Sequence, residues 1–141
     1  QYATLAPELM VTNPKQKAYT VMEAMEKRGF SHIPIVVNGK FMGVFSVSTL
    51  FAYQLKYPER KLNIKESIIC DFSEFTSIDQ HICERFLFMK PEQTYWDAQK
   101  AFECGNSVKN KRLAAIFITS DGTATGKLMG MLTPWDIIGK E

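Results

Sequence analysis

Apolar residues recur along the chain at two kinds of spacing, and the change from one kind to the other comes round twice. Pro14, Ala18, Val21 and Met25 lie four, three and four residues apart, and Pro91, Tyr95, Ala98 and Phe102 repeat those intervals. Such spacing puts side chains on one face of a helix. Asn13 as cap with Pro14 in the first helical position predicts the start of the first helix. Thr94, with Asp97 three residues on, predicts the start of the second in the manner of a capping box. Gly29 and Gly105 are the expected stops.

Each helix gives way to a short apolar run, Ile33–Val37 in the first copy and Leu113–Ile118 in the second, and each reads as a buried strand. Turn residues follow, Asn38-Gly39 and Asp121-Gly122, which are strong hairpin signals. The return strands are Lys40–Ser46 and Lys127–Thr133, the second reached by a longer loop that runs through Gly126. Leu9–Thr12 and Phe86–Lys90 are expected to be strands before the two helices. A closing helix over Val47–Lys56 stops before Pro58, and its counterpart opens near Pro134. The pattern is an α/β fold of two β-α-β-β-α repeats. Residues 1–57 form the first and residues 86–141 the second. Residues 58–85 connect them, and their scattered Leu62, Ile64, Ile68, Ile69, Phe72, Phe75 and Ile78 are expected to pack rather than swing free.

Composition narrows the function classes. Of 141 residues, 45% are hydrophobic and 23% charged, the mixture of a folded chain, and a net charge of +2 gives no bulk argument for nucleic acid. No apolar run approaches the ~20 residues that a helix needs to cross a bilayer. No charged stretch followed by an apolar run opens the chain. No membrane partner and a cytoplasmic location are therefore expected, with Gln1 as the first residue compatible with a piece of a longer chain. Cys70, Cys83 and Cys104 show no CxxC spacing, and His32 and His81 have no ligand-spaced partners. Ordinary thiols and no metal site are the expectation.

No nucleophile elbow, HExxH or phosphate-binding Gly-Lys-Ser/Thr loop is present, so no catalytic residue is assigned. The informative segment is Gly130-Met131-Leu132-Thr133-Pro134-Trp135-Asp136, which ends a strand and opens a helix. Thr133 suits the cap and Pro134 the first helical position. The helix N-terminus favours a phosphate. Asp136, in the first turn, either complements the helix dipole or accepts two hydrogen bonds from a ribose diol.

The run His32-Ile33-Pro34-Ile35-Val36-Val37-Asn38-Gly39-Lys40-Phe41-Met42-Gly43-Val44-Phe45-Ser46 resembles the central part of a CBS domain. Leu128 through Asp136 resembles that family's Gly-x-x-Thr/Ser-x-x-Asp ending. The resemblance covers most of the chain as two copies. It implies a tandem pair packed by its sheets with pseudo-two-fold symmetry and two clefts between the copies. It also implies an adenosine ligand: AMP, ADP, ATP or S-adenosylmethionine. By the same resemblance Asp136 holds the ribose hydroxyls and Thr133 lies beside ribose and phosphate.

The two copies differ. In the first, Ser46 keeps the motif but Thr49 stands in place of the Asp, and one neutral hydroxyl cannot make the bidentate grip. One good site and one weak or empty site are expected. Ala114 replaces the Pro34 of the first copy and still allows close approach to a flat base. The second copy carries about four extra residues between helix and strand, with Lys109, Lys111 and Arg112. They read either as a solvated loop or as phosphate-binding cations. Lys90 and His32 are further candidates for the cleft. The expected function is a regulatory sensor of adenine nucleotide without catalysis, and the rival is a structural dimerisation module with an empty cleft. A homodimer is expected because a module this small leaves Met22, Met25, Phe51 and Tyr53 to be covered.

Overall fold

A computed structural model describes residues 4–5, 10–81, 84–93, 95–104 and 112–133. In chain order the elements are β1 (Thr4–Leu5), α1 (Ala18–Arg28), β2 (His32–Val37), β3 (Lys40–Ser46), α2 (Val47–Lys56), a 3-10 helix (Ile69–Phe75), β4 (Glu84–Met89), α3 (Tyr95–Cys104), β5 (Arg112–Thr119) and β6 (Leu128–Leu132). Helix, strand and strand thus follow one another twice, in a mixed α/β fold. The chain divides into two compact units. One comprises Met10–Asn38 with Met42–Ile82, and the other Gln1–Leu9 with Gly39–Phe41 and Cys83–Glu141.

In the first unit α1 buries Ala18, Val21 and Met25, the face that the spacing picks out. Met25 therefore belongs to the core rather than to a surface awaiting a partner. Gly29 ends the helix in the left-handed region at φ 75°, which glycine adopts without the strain of a Cβ. The start differs from the expectation. Lys17, not Asn13, is the cap residue, and its side chain makes no capping bond. The Asn13 carboxamide oxygen instead accepts the Lys15 N–H at 2.9 Å in a local turn. The carbonyls of Pro14 and Gln16 accept the N–H groups of Cys70 and Ile69 at 2.8 and 2.9 Å, and Ala18 donates to Ser67 at 2.9 Å. A segment some fifty residues on has claimed the groups that an earlier helical turn would use.

Asn38 and Gly39 both have positive φ, 53° and 80°, as the mirror-image turn of a two-residue hairpin demands. β3 and α2 run over the expected residues. The expected strand Leu9–Thr12 is reduced, among the described residues, to a parallel bridge between Thr12 and Ile35. Met10, Val21, Met25, Ile33, Ile35, Phe45, Ile69 and Phe72 make the core, with Leu62 and Ile64 half-buried against it. The Phe72 ring meets Phe45 at 6.0 Å and Tyr53 at 5.2 Å. Tyr53, expected at a surface, is thereby half-buried among aromatic rings.

The second unit is built on a four-stranded sheet of order β1-β6-β5-β4. β4 and β5 are parallel, joined through α3, and β5 and β6 form an antiparallel hairpin. β1, which the pattern did not suggest, pairs with β6. Ala98 of α3 is buried against a cluster of Met89, Leu113, Ile116 and Leu132. Phe41 packs on Phe117 and Phe88 at centroid distances of 4.9 and 5.2 Å. The expected cap at Thr94 and stop at Gly105 lie outside the described residues, as does the helix that would open near Pro134.

Candidate functional site: two strand-to-helix junctions

The β3–α2 junction of the first unit carries Gly43, Ser46 and Thr49, and the fold accounts for each. A Cβ on Gly43 would sit 2.5 Å from the carbonyl oxygen of Thr76, which accepts the Val44 N–H at 2.8 Å. Only glycine lets the segment after the 3-10 helix lie this close to β3. Ser46 is buried at the end of β3. Its N–H donates to Thr49 Oγ1 at 3.1 Å, and its hydroxyl lies 2.7 Å from that of Ser48. Thr49 is 1% exposed, so its hydroxyl serves as an acceptor inside its own helix start. His32 opens β2 and is buried, with Nδ1 2.8 Å from the Ser31 hydroxyl. His32 and Ser46 thus both lie at the open end of the β2–β3 hairpin.

In the second unit the sheet register sorts the remaining candidates. Leu132 pairs with Ile116, so the half-buried Thr133 that follows lies level with Ala115. Ala114, buried, and Arg112 are at that same end of β5. Met89 pairs with Ile118, which puts Lys90 level with Thr119 at the other end. Four residues of strand separate the two levels, roughly 13 Å. Ala114 lies next to the level of Thr133, Arg112 three residues from that level at the same end of β5, roughly 10 Å, and Lys90 at the opposite end. The Lys90 side chain instead crosses Gly122 of the β5–β6 loop. There Asp121 is held below the ordinary carboxylate range by the Thr123 hydroxyl and N–H, with the Lys90 charge adding to the effect. Pro134 and Asp136 lie outside the described residues.

Arg112 reaches back 3.3 Å to the Glu84 carboxylate, whose side chain is 9% exposed while that of Arg112 is 68% exposed. The sequence offers no signal for this pair, whose members are 28 residues apart and meet only because β4 and β5 are neighbours. His81, weighed in the sequence only as a metal ligand, is buried, with Nε2 3.3 Å from the Thr76 carbonyl. Among the described residues no group of three or more His, Cys, Asp or Glu could hold a metal ion. No described helix is long and apolar enough to cross a membrane.

Helix, strand and strand follow one another twice, and the first hairpin ends in a strand-to-helix junction marked by Gly43. A CBS domain family model matches residues 5–56. The fold of the whole chain is that of CBS-domain proteins. A CBS domain protein from Streptococcus pneumoniae TIGR4 is similar with a TM-score of 0.66 and 15% identity over 98% of this chain and 78% of that one. CBSX2 in complex with AMP is similar at 0.64 and 18%, over 98% of this chain and 90% of that one. CbpB in complex with c-di-AMP is similar at 0.63 and 18%, over 98% and 79%. Among curated proteins no sequence match is found.

Proposed function

We propose that this chain is a regulatory module that binds an adenine nucleotide in the cytoplasm and catalyses nothing. The observation that carries the reading is the end of β6, where Thr133 lies level with Ala115, next to Ala114 in β5, and the sequence continues into Pro134 and Asp136. In this reading Asp136 accepts both ribose hydroxyls and Thr133 lies beside ribose and phosphate. Pro134 starts the helix whose N-terminus faces the phosphate, and Ala114 leaves room for the base. Arg112 exchanges part of its contact with Glu84 for phosphate oxygens, using its planar fork. Two of the similar folds were solved with AMP and c-di-AMP, which supports an adenine ligand. Lys90 is the weakest member of the set because the register puts it at the far end of the sheet. His32 and Ser46 belong to a first-copy site that is weak or empty, since Thr49 has no carboxylate. Ligand binding shifts the population between arrangements that an attached domain or partner reads. The module acts as a homodimer.

The rival, a structural dimerisation module, draws on the same first-copy junction, where both polar side chains are engaged by their own fold. Calorimetric titration with AMP, ADP, ATP, S-adenosylmethionine and c-di-AMP separates the two. Saturable binding of at least one is expected, and no heat with any of them would leave the structural reading standing. Asp136→Ala is expected to raise the dissociation constant about ten- to a hundredfold, the loss of a hydrogen bond to a charged group. A folded Asp136→Ala protein that binds as tightly as the parent would remove Asp136 from the site.

A further inference from the structure

The Glu84–Arg112 ion pair is unequal. The two residues open β4 and β5 and are partners in the register of those strands, so one strand spacing of about 4.8 Å separates their backbones. The carboxylate is shut in, with 9% of its side chain exposed, while 68% of the Arg112 side chain meets solvent. The contact runs from Nη2 to Oε2 at 3.3 Å, and a guanidinium has five N–H donors. Arg112 therefore has donors to offer a ligand without leaving Glu84. It cannot leave altogether, because a buried carboxylate deprived of its partner is strongly destabilising. Arg85, next in β4, is on the opposite face of the sheet. A fixed negative charge thus stands behind Arg112 at this end of β5.

We propose that Glu84 is a specificity-determining residue of the nucleotide site, one that sets the module against ligands with more than one phosphate and so favours AMP over ADP and ATP. The inference rests on the nucleotide reading above and adds to it a choice among the phosphorylated ligands. In that reading ribose and first phosphate lie beside Thr133, whose level is three residues from Arg112, roughly 10 Å along the strand. That is about one Debye length at ~0.1 M salt, so the Glu84 and ligand charges act on each other. The first phosphate has the helix N-terminus and Arg112 to balance it. Each further phosphate adds negative charge against the same carboxylate, and Arg112, shared with Glu84, does not neutralise it. This repulsion grows with the charge of the ligand and vanishes for adenosine. An effect of Glu84 on the shape of the site would instead touch adenosine and its phosphates alike.

Calorimetric titration of adenosine, AMP, ADP and ATP into the parent, Glu84→Gln and Arg112→Gln, without divalent cations, tests this. The parent is expected to bind AMP more tightly than ATP. Glu84→Gln keeps a side-chain oxygen for Arg112 and removes the charge. It is expected to lower the ratio of the ATP to the AMP dissociation constant about tenfold and to bind adenosine as the parent does. Arg112→Gln changes an exposed side chain, keeps an amide that donates to Glu84, and covers the case in which Glu84→Gln does not fold. With the guanidinium gone the carboxylate charge is uncompensated, and the same ratio is expected to rise about tenfold. A ratio left unchanged by Glu84→Gln, or by Arg112→Gln where Glu84→Gln does not fold, overturns the charge filter and leaves the nucleotide reading intact. A parent that binds ATP more tightly than AMP does the same. A parent that binds none of the four overturns the filter, and the nucleotide reading with it unless S-adenosylmethionine or c-di-AMP binds.

Discussion

The two Gly-x-x-Ser/Thr-x-x segments share a sequence plan and fill its last position differently. At Gly43-x-x-Ser46-x-x-Thr49 every marked residue has a task within the fold: close approach of Thr76, the strand end, the helix start. At Gly130-x-x-Thr133-x-x-Asp136 the last position carries a charge, which the first lacks. A hydroxyl can be absorbed by a local cap because it needs little solvation. An ionised carboxylate has two oxygens to satisfy and calls for stronger partners. The first repeat settles into structure, and in the proposed reading the second keeps a carboxylate for a ligand.

That contrast gives predictions in which binding and stability separate. The largest effect is the loss of nucleotide affinity in Asp136→Ala, with the urea midpoint expected to stay near that of the parent. If stability fell as much as affinity, the carboxylate would be a structural residue like its first-copy counterpart. Gly43→Ala comes next. Its new methyl meets a backbone carbonyl that cannot rotate away, and urea denaturation is expected to show a loss of about 1–3 kcal/mol. An unchanged midpoint would mean that the Thr76 segment yields easily. Thr49→Ala removes the acceptor for the Ser46 N–H. It is expected to cost about 1 kcal/mol of stability and to leave nucleotide affinity where it was. Loss of binding in this variant would move the working site to the first copy.

The smallest effect is expected at an exposed cluster of the first unit. The Glu74 carboxylate accepts hydrogen bonds from Lys56 and from the Tyr57 hydroxyl, the latter at 2.7 Å, and is held below its ordinary value of 4.5, chiefly by Lys56 and then by Tyr57. Arg60 stacks 3.7 Å over the Tyr57 ring. A lowered folded-state value contributes stability above the unfolded value and loses it as pH falls through the folded one. Glu74→Gln is therefore expected to lower the melting temperature slightly at neutral pH and not at all in strong acid. A difference that persists in acid would assign the effect to packing instead.

Local rules were enough for much of this chain. The Asn38-Gly39 turn, the bounds of β3 and α2, and the buried faces of α1 and α3 follow from turn chemistry and periodicity, because neighbours in sequence set them. The candidate residues Thr133 and Asp136 were picked out by residue type alone, and Asp136 lies outside the described residues. Tertiary structure decided what distant segments do to one another. Residues 67–70 take the backbone groups of residues 14–18 and delay α1 to Ala18. Strand register brings Arg112 to Glu84 and sets Lys90 at the far end of the sheet from Thr133. The close approach of Thr76 is what makes Gly43 necessary. Hydrogen-bond partners and strand levels are properties of pairs far apart in sequence, and no periodicity within a single segment encodes them.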